Sequence, residues 1–426
     1  MKNKTYYIYI YYLVLLLIMV SWTSPTSAPS TIVRMLFMGA VFFPTIYIRK
    51  AWLPAVLTCF LSIGQYGISF SYLPETISLY MWLMLVLFIL YGGKRILPIF
   101  PHWLFVFPFY IVLRDLFADD SIYHIFYALI VTCLASYLFG NDYDDAENKM
   151  SMAFIVVTVV LCYYFLFFRN NFTESYGKYG TELERVLWTD PNYLGCVIGM
   201  GVMCCGIKLT DKSLSKFFRV LLLSVIGISV VVLIQNASRG ALVAVLLGCS
   251  VLFLTSPVKI FYKILFLCLA VTFLVFLYNN SYFDLLVYRV ENDSTGSGRT
   301  VIWERRLEVF SQSSLLQSIF GYGHDAAMTL GTPYRVGSHN DYIAFLVEYG
   351  LIGLVSFLYM LAFPIIQILK KGEVIGLYQV LTLSVYIAVC CLTLEPFTLG
   401  RIPYYMFYLY IILVVNKYKK KPVVRI

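Results

Sequence analysis

Apolar segments of about twenty residues recur along the whole 426-residue chain, and they constrain its fold more than any other feature of the sequence. A helix needs about 20 mostly apolar residues to cross the hydrocarbon core of a bilayer. Fourteen segments fit: 5–22, 31–48, 51–70, 76–92, 97–113, 121–139, 151–168, 190–208, 218–235, 239–255, 260–279, 341–369, 374–393 and 400–416. Because prolines interrupt 51–70 and 97–113, we predict twelve to fourteen transmembrane helices.

The composition supports the same class of protein. Apolar residues make up 60% of the chain and charged residues only 13%, whereas soluble domains contain about 45–50% and about 25%. So few polar residues cannot cover the surfaces of soluble domains. The 33 Phe and 36 Tyr exclude a disordered chain. The predicted fold class is therefore an all-α, polytopic integral membrane protein.

The placement of lysines predicts which side of the membrane each loop faces. If the N-terminus is inside and the spans alternate, 16 of the 17 lysines lie on the inner side, as the positive-inside rule requires. Both termini are then cytoplasmic, and the net charge of +9 is explained by retention charges, so we expect no nucleic-acid partner. Eleven of the 15 arginines remain on the outer side. Arginine binds phosphate and carboxylate through its planar fork, so these residues are candidates for substrate binding.

The longest polar stretch, residues 280–340, is predicted to be an outer loop between two spans. Long loops in a membrane protein of this kind are more often functional than idle. Apolar positions between Thr300 and Phe310 predict a short interfacial helix within it.

The loop ends in His339, directly before the apolar run of the next helix. An imidazole at this point can act as a base near neutral pH, and helix N–H groups beside it can hold a phosphate. The alternative is that Ser338 or Asn340 caps the helix and His339 is an ordinary interfacial residue.

Two other outer segments carry candidate residues. The short turn Gln235–Gly240 places Arg239 at the membrane edge, where snorkelling to headgroups is the alternative role. The segment Asp190-Pro191-Asn192 begins a span, and helix capping followed by a first-turn proline explains most of it.

Together these segments resemble the O-antigen ligase and polymerase family of bacterial envelope glycan assembly. The resemblance rests on four elements: DPNYLG at 190–195, SRG at 238–240, Arg299 with Trp303, and FGYG at 320–323. The most specific element is His339-Asn340, which nine intervening residues separate from Gly350-Leu351-Ile352-Gly353.

The resemblance implies a GT-C-like glycosyltransferase at the outer face of the bacterial inner membrane. Its donor would be a glycan on undecaprenyl pyrophosphate, and no metal or cofactor is expected. Besides this substrate and the bilayer, the expected partners are a chain-length regulator and a flippase. Carried over by position, Arg239 and Arg299 would contact the pyrophosphate and His339 would activate the acceptor. The further substrate-binding candidates are Asn340, Asp190, Asn192 and, by proximity alone, Arg335.

The expected organisation has three parts. Residues 1–187 would form N-terminal transmembrane helices, and 188–370 would form the family-like catalytic region that includes the loop 280–340. Residues 371–426 would form the C-terminal helices and a basic cytoplasmic tail.

Four functions remain open. A polymerase is favoured over an O-antigen ligase, because acids outnumber bases outside and SHNDYIAFLVEYGLIG (338–353) is more similar to repeat-unit polymerases. A flippase or other transporter would carry charges along a central cavity, whereas almost all charges here lie at span edges. A metal-dependent glycosyltransferase would use Arg114-Asp115 and Asp119-Asp120, a cluster that is more often a solvated loop.

Overall fold

The computed structural model describes residues 2–21, 40, 146–168, 191–292, 298–331, 336–372, 374–399 and 401–418. Every regular element in these ranges is a helix, which confirms the all-α polytopic class. The helices are α1 (Lys2–Ser21), α2 (Ala146–Phe168), α3 (Pro191–Leu209), α4 (Lys216–Gln235), α5 (Arg239–Thr255), α6 (Ile260–Asn279), α7 (Asp284–Asn292), α8 (Arg299–Ser311), α9 (Leu315–Phe320), α10 (Ala326–Thr329), α11 (Asp341–Lys371), α12 (Val374–Thr393) and α13 (Ile402–Lys417).

Within the described ranges, six helices are long and apolar enough to cross a membrane: α2, α3, α4, α6, α11 and α12. Helices α1 and α5 contain shorter apolar stretches. The predicted spans between 31–48 and 121–139 lie outside the described residues, so the total of twelve to fourteen stays a prediction.

The described helices fall into two compact units, one ending at Asn236 and the other beginning at Ala237. In the first unit, α2 packs against α1, α3 and α4. The Tyr9 hydroxyl ties α1 to α2 by donating to the Lys149 carbonyl at 2.5 Å. A Cβ on Gly201 of α3 would overlap the side chain of Thr158 on α2, so this glycine allows the two helices to approach closely.

In the second unit, α12 lies between α5, α11 and α13. The loop 280–340 supplies the short helices α7–α10, of which α8, α9 and α10 pack against α11. The helix predicted from Thr300 is confirmed as α8, which begins at Arg299 after a left-handed Gly298 (φ 75°). Almost the whole apolar surface of α6 is exposed, as expected of a helix that faces lipid.

Helix α11 breaks at Gly350, whose φ of 66° and ψ of −164° are not helical. Before the break its residues are mostly buried, whereas large exposed apolar side chains begin at Leu351 and Ile352. The 21 residues from Leu351 to Lys371 are about 31 Å long, which matches a hydrocarbon core. The predicted span 341–369 is therefore two helical segments, and the first packs against the loop helices.

Candidate active site

The first N–H groups of α11 are all hydrogen-bonded within the protein. The Asn340 side chain accepts from the Tyr342 and Ile343 N–H groups at 3.0 and 3.2 Å. The Asp341 N–H donates to the Leu394 carbonyl at 3.0 Å. Asn340 is thus the helix cap, one of the two alternatives that the sequence left open. The other interpretation, in which these N–H groups hold a phosphate, would require the present hydrogen bonds to be exchanged for contacts to the ligand.

His339 lies just before this cap with a left-handed backbone, at a φ of 49°. This conformation is costly for a residue with a side chain and persists only where the surroundings impose it. The Glu395 carboxylate accepts the Ser338 hydroxyl directly before His339, and it faces the N–H groups of His339 and Asn340, which act to lower its pKa. Successive N–H groups of this kind form a concave site for an anion. The anion in this site is the protein's own side chain.

Asp341, at the start of α11, makes the reciprocal contact to the segment that follows α12. Its carboxylate accepts the N–H groups of Phe397 and Thr398 at 3.0 and 3.1 Å, and the Thr398 hydroxyl at 2.8 Å. Each of the two segments therefore holds the other's backbone through one buried carboxylate. We call Glu395 and Asp341 the carboxylate clasp.

Helix α8 presents three side chains to the same region. Arg299 donates from Nη1 to the Thr393 carbonyl at 2.9 Å, and Trp303 donates from Nε1 to the Ser338 carbonyl at 2.6 Å. Arg306 donates from Nη2 to the Val336 carbonyl at 3.0 Å. Their spacing of four and three residues places them on one face of the helix. This explains why an arginine and a tryptophan occur together in the motif.

Arg306 is a buried charge between two buried acids, Glu395 and Glu348. Burial lowers the pKa of the Arg306 guanidinium, and the two carboxylates raise it in part. Burial also raises the pKa of Glu395. Four neighbours lower this pKa in part: the Ser338 hydroxyl, the N–H groups of His339 and Asn340, and the Arg306 charge. A buried charge is tolerated only when it is paired and hydrogen-bonded. Arg306 and Glu395 therefore depend on each other.

The start of α5, which carries Arg239, also lies in this region. The Ser238 hydroxyl caps this helix by accepting the Ala241 N–H at 3.4 Å. A Cβ on Gly240 would lie 2.6 Å from the Cβ and Oγ1 of Thr393, so α5 begins in tight contact with the end of α12. The short segment Thr393–Glu395 thus contacts all three motif regions, at Gly240, Arg299 and His339.

The FGYG turn packs against the break in α11. The N–H groups of Tyr322 and Gly323 donate to the carbonyls of Val347 and Glu348, both at 2.9 Å. Gly321 also has a positive φ, of 80°, and a Cβ there would overlap the Glu348 carbonyl. Similarly, a Cβ on Gly350 would lie 2.6 Å from the Gly321 nitrogen. These two motif glycines are needed because two backbones meet without room for side chains.

His324 follows this turn and lies beside α11. Its Nδ1 is 3.4 Å from the Tyr349 hydroxyl and 3.9 Å from Glu348 Oε2. The Tyr349 hydroxyl and the Glu348 carboxylate orient the His324 ring, so residues of α11 hold this side chain.

The remaining sequence candidates lie in the first unit or outside the described residues. Asn192 lies at the start of α3, in the first unit. Asp190, Arg335 and the acidic cluster at 114–120 lie outside the described residues. Within those residues, no group of three or more His, Cys, Asp and Glu side chains has an arrangement that could hold a metal ion.

Sequence reasoning missed Glu395, Arg306 and the role of Asp341. Glu395 occupies a short polar segment between two apolar runs, which marks it as an outer charge but gives it no partner. Arg306 could have been found from its spacing to Arg299 and Trp303, since all three fall on one helical face.

Comparison with known families agrees with the motifs. Residues 222–358 match a family model described as O-antigen ligase, which confirms the family resemblance. The matched segment contains Arg239, Arg299, His339 and Gly350. No curated protein matches the chain.

Proposed function

We propose that this protein is a membrane glycosyltransferase that polymerises lipid-linked repeat units at the outer face of the bacterial inner membrane. The match of residues 222–358 to a family model described as O-antigen ligase supports this proposal. The donor in this proposal is a glycan on undecaprenyl pyrophosphate, and the acceptor is a second repeat unit. The observation that carries the proposal is the contact of three separate motif regions with one segment, Thr393–Glu395. A two-substrate transfer needs such a convergence of anion-binding and proton-accepting groups.

In the proposed reaction, the acceptor hydroxyl attacks the anomeric carbon of the donor glycan. The new C–O bond forms as the bond to the pyrophosphate oxygen breaks, and undecaprenyl pyrophosphate leaves. His339 accepts the hydroxyl proton. Arg239 and Arg299 neutralise the charge that develops on the leaving pyrophosphate, through charge-assisted hydrogen bonds. Arginine suits this task because its fork can hold two oxygens at once.

The ligase alternative differs only in its acceptor, which would be lipid A–core. It uses the same donor and the same residues, and the family match fits both reactions. The run at 338–353 and the acidic outer segments favour the polymerase. A flippase is disfavoured because the long loop is folded onto α11 by helices α8–α10, a structure for which transport has no need.

Deletion of the gene followed by analysis of the glycan ladder tests the proposal. Loss of polymerisation leaves products with a single repeat unit, and plasmid-borne wild-type protein restores the ladder. Lipid-linked polymer that is no longer attached to lipid A–core would instead identify the ligase. Loss of all exported lipid-linked units would identify the flippase.

The metal-dependent alternative needs its own experiment. Purified protein is supplied with the lipid-linked repeat unit, with and without a strong chelator. Continued polymer formation in the chelator excludes a role for the acidic cluster at 114–120 as a metal site. Loss of activity that Mg²⁺ or Mn²⁺ restores would contradict arginine-based charge stabilisation.

A further inference from the structure

We infer that Glu395 is a positioning residue that sets the orientation of His339 for transfer. The inference rests on the proposed function only in taking His339 as the proton acceptor. Glu395 is 3% exposed and follows α12, 56 residues beyond His339 in the chain. It accepts the Ser338 hydroxyl directly before His339, lies against Gly337, and faces the N–H groups of His339 and Asn340.

These contacts act on a residue whose left-handed backbone is shared, among the described non-glycine residues of the loop, by Ser281 and Asp325. A left-handed histidine stores on the order of 1–3 kcal/mol of backbone strain. Without an acceptor for its N–H, the segment would relax toward an ordinary conformation. The direction of the Cα–Cβ bond would then change, and the imidazole with it. Glu395 is therefore linked to the chemistry through backbone geometry and needs no contact with substrate.

The two members of the carboxylate clasp have different consequences. Asp341 accepts the N–H groups of Phe397 and Thr398, so it fixes the segment that carries Glu395. Of these two carboxylates, Glu395 is the one that faces the N–H of His339 and accepts the hydroxyl of Ser338. Arg306 supplies the opposite charge that allows a carboxylate to remain ionised at this buried position.

Gly337 shows how closely the carboxylate fits. A Cβ on this residue would lie 3.0 Å from Glu395 Oε2 and 3.4 Å from Oε1. Its φ lies outside the positive range, so alanine fits the backbone here. The substitution Gly337→Ala therefore displaces the carboxylate by a few tenths of an ångström and leaves the charge in place.

The first experiment compares Glu395→Ala and Glu395→Gln with the wild-type protein in a polymerisation assay. We expect Glu395→Ala to lower kcat about 100-fold, since a misplacement of about 1 Å can have an effect of that size. Glu395→Gln should lower it about 10-fold, because the amide oxygen still accepts an N–H. KM for the lipid-linked donor should stay within about twofold, because the arginines bind it.

Glu348→Gln is the matched control. Glu348 is as buried as Glu395 and also interacts with Arg306, but it accepts the Ala327 N–H on α10. This variant should keep kcat per folded molecule within about twofold of wild type. An equal loss of kcat in Glu348→Gln and Glu395→Gln would assign both residues to general stability and overturn the inference.

A double-mutant cycle of Gly337→Ala and Glu395→Ala tests the inference in a second way, in case one variant folds poorly. Gly337→Ala alone should lower kcat about 3- to 10-fold, because it presses on the carboxylate. In the Glu395→Ala background it should have no further effect, because the atoms it would contact are gone. Additive effects of the two substitutions would overturn the inference.

Hydrogen exchange separates this inference from the proposed function. In Glu395→Ala, the amides of His339 and Asn340 should exchange about 10-fold faster or more, whatever reaction the protein catalyses. Unchanged exchange at these amides would overturn the inference even if the polymerase proposal holds. Wild-type protein that forms neither polymer nor a lipid A–core conjugate would overturn the proposed function, and the exchange result would still report on Glu395.

Discussion

At the scale of single residues, the two histidines of the loop differ in how the protein holds them. The Glu395 carboxylate faces the backbone N–H of His339 and accepts the Ser338 hydroxyl directly before it. His324 is held at its ring by Tyr349 and Glu348. The contacts of His324 give its ring a structural role, and the motif position of His339 at the start of α11 favours His339 as the proposed base.

His339→Ala should abolish polymer formation, because general-base assistance is typically worth about 10²- to 10⁴-fold in rate. His324→Ala should be much milder. Both are measured as glycan ladders together with protein level in the membrane. A normal rate of full-length polymer from His339→Ala would show that the arginines alone carry the catalysis.

Arg239→Ala and Arg299→Ala should each remove about 2–4 kcal/mol of transition-state stabilisation, by analogy with the loss of one oxyanion donor. Lysine should restore little, because a point charge lacks the fork that binds two oxygens. The measurement is kcat/KM for the lipid-linked donor. Arg305→Ala, which changes an exposed neighbour on α8, is the control with unchanged kcat/KM. Normal activity in both alanine variants would make the two arginines structural.

Residue roles were only partly predictable from the sequence. Arg299 and His339 lie in recognisable motifs, and the structure brings their segments to one place. Arg305 and Arg306 are adjacent and chemically identical, yet one is exposed and the other buried. Which of them is buried depends on the face that α8 turns to residues 336–338, and this is a tertiary property.

At the scale of elements, the helix bounds were the most predictable feature. The observed α5 and α6 have the same bounds as the apolar runs 239–255 and 260–279, because a span ends where apolar residues end. The break at Gly350 could not be predicted in this way, since the apolar pattern continues through it. Only the approach of Gly321 shows why α11 must break there.

Gly321→Ala and Gly350→Ala should each destabilise the protein by more than about 3 kcal/mol. A positive φ alone costs a non-glycine residue about 1–3 kcal/mol, and the overlap with backbone atoms adds to this. Thermal unfolding of the purified protein in detergent measures the change. Gly372→Ala is the control, since its φ is 68° and a Cβ there would have no described atom within 4 Å. Equal losses in all three variants would refute the proposed close packing.

At the scale of the whole molecule, the multi-pass architecture is common to the sequence and the structure. The lysine distribution predicts which side each loop faces. It predicts that the loop between α3 and α4, which carries Lys212, is cytoplasmic, and that α7–α10 lie in an outer loop.

Reporter fusions near Thr332 should therefore give an external signal, and fusions at Lys212 and at both termini should give a cytoplasmic signal. The fusion at Lys212 serves as the internal control, because it tests the opposite side in the same protein. A cytoplasmic signal from the fusion near Thr332 would remove the proposed site from the side where the lipid-linked donor is exposed.

The position of Glu395 in the chain also has a consequence for biogenesis. The ribosome completes Arg239, α8 and His339 before it reaches α12, and Glu395 follows His339 by 56 residues. At about 5–20 residues per second, this interval lasts roughly 3–11 s. During that time His339 has no carboxylate to hold it. Under the proposed function, a nascent chain should therefore have little activity until the segment after α12 is made, and a ribosome that stalls after α11 should leave the lipid-linked sugar unconsumed.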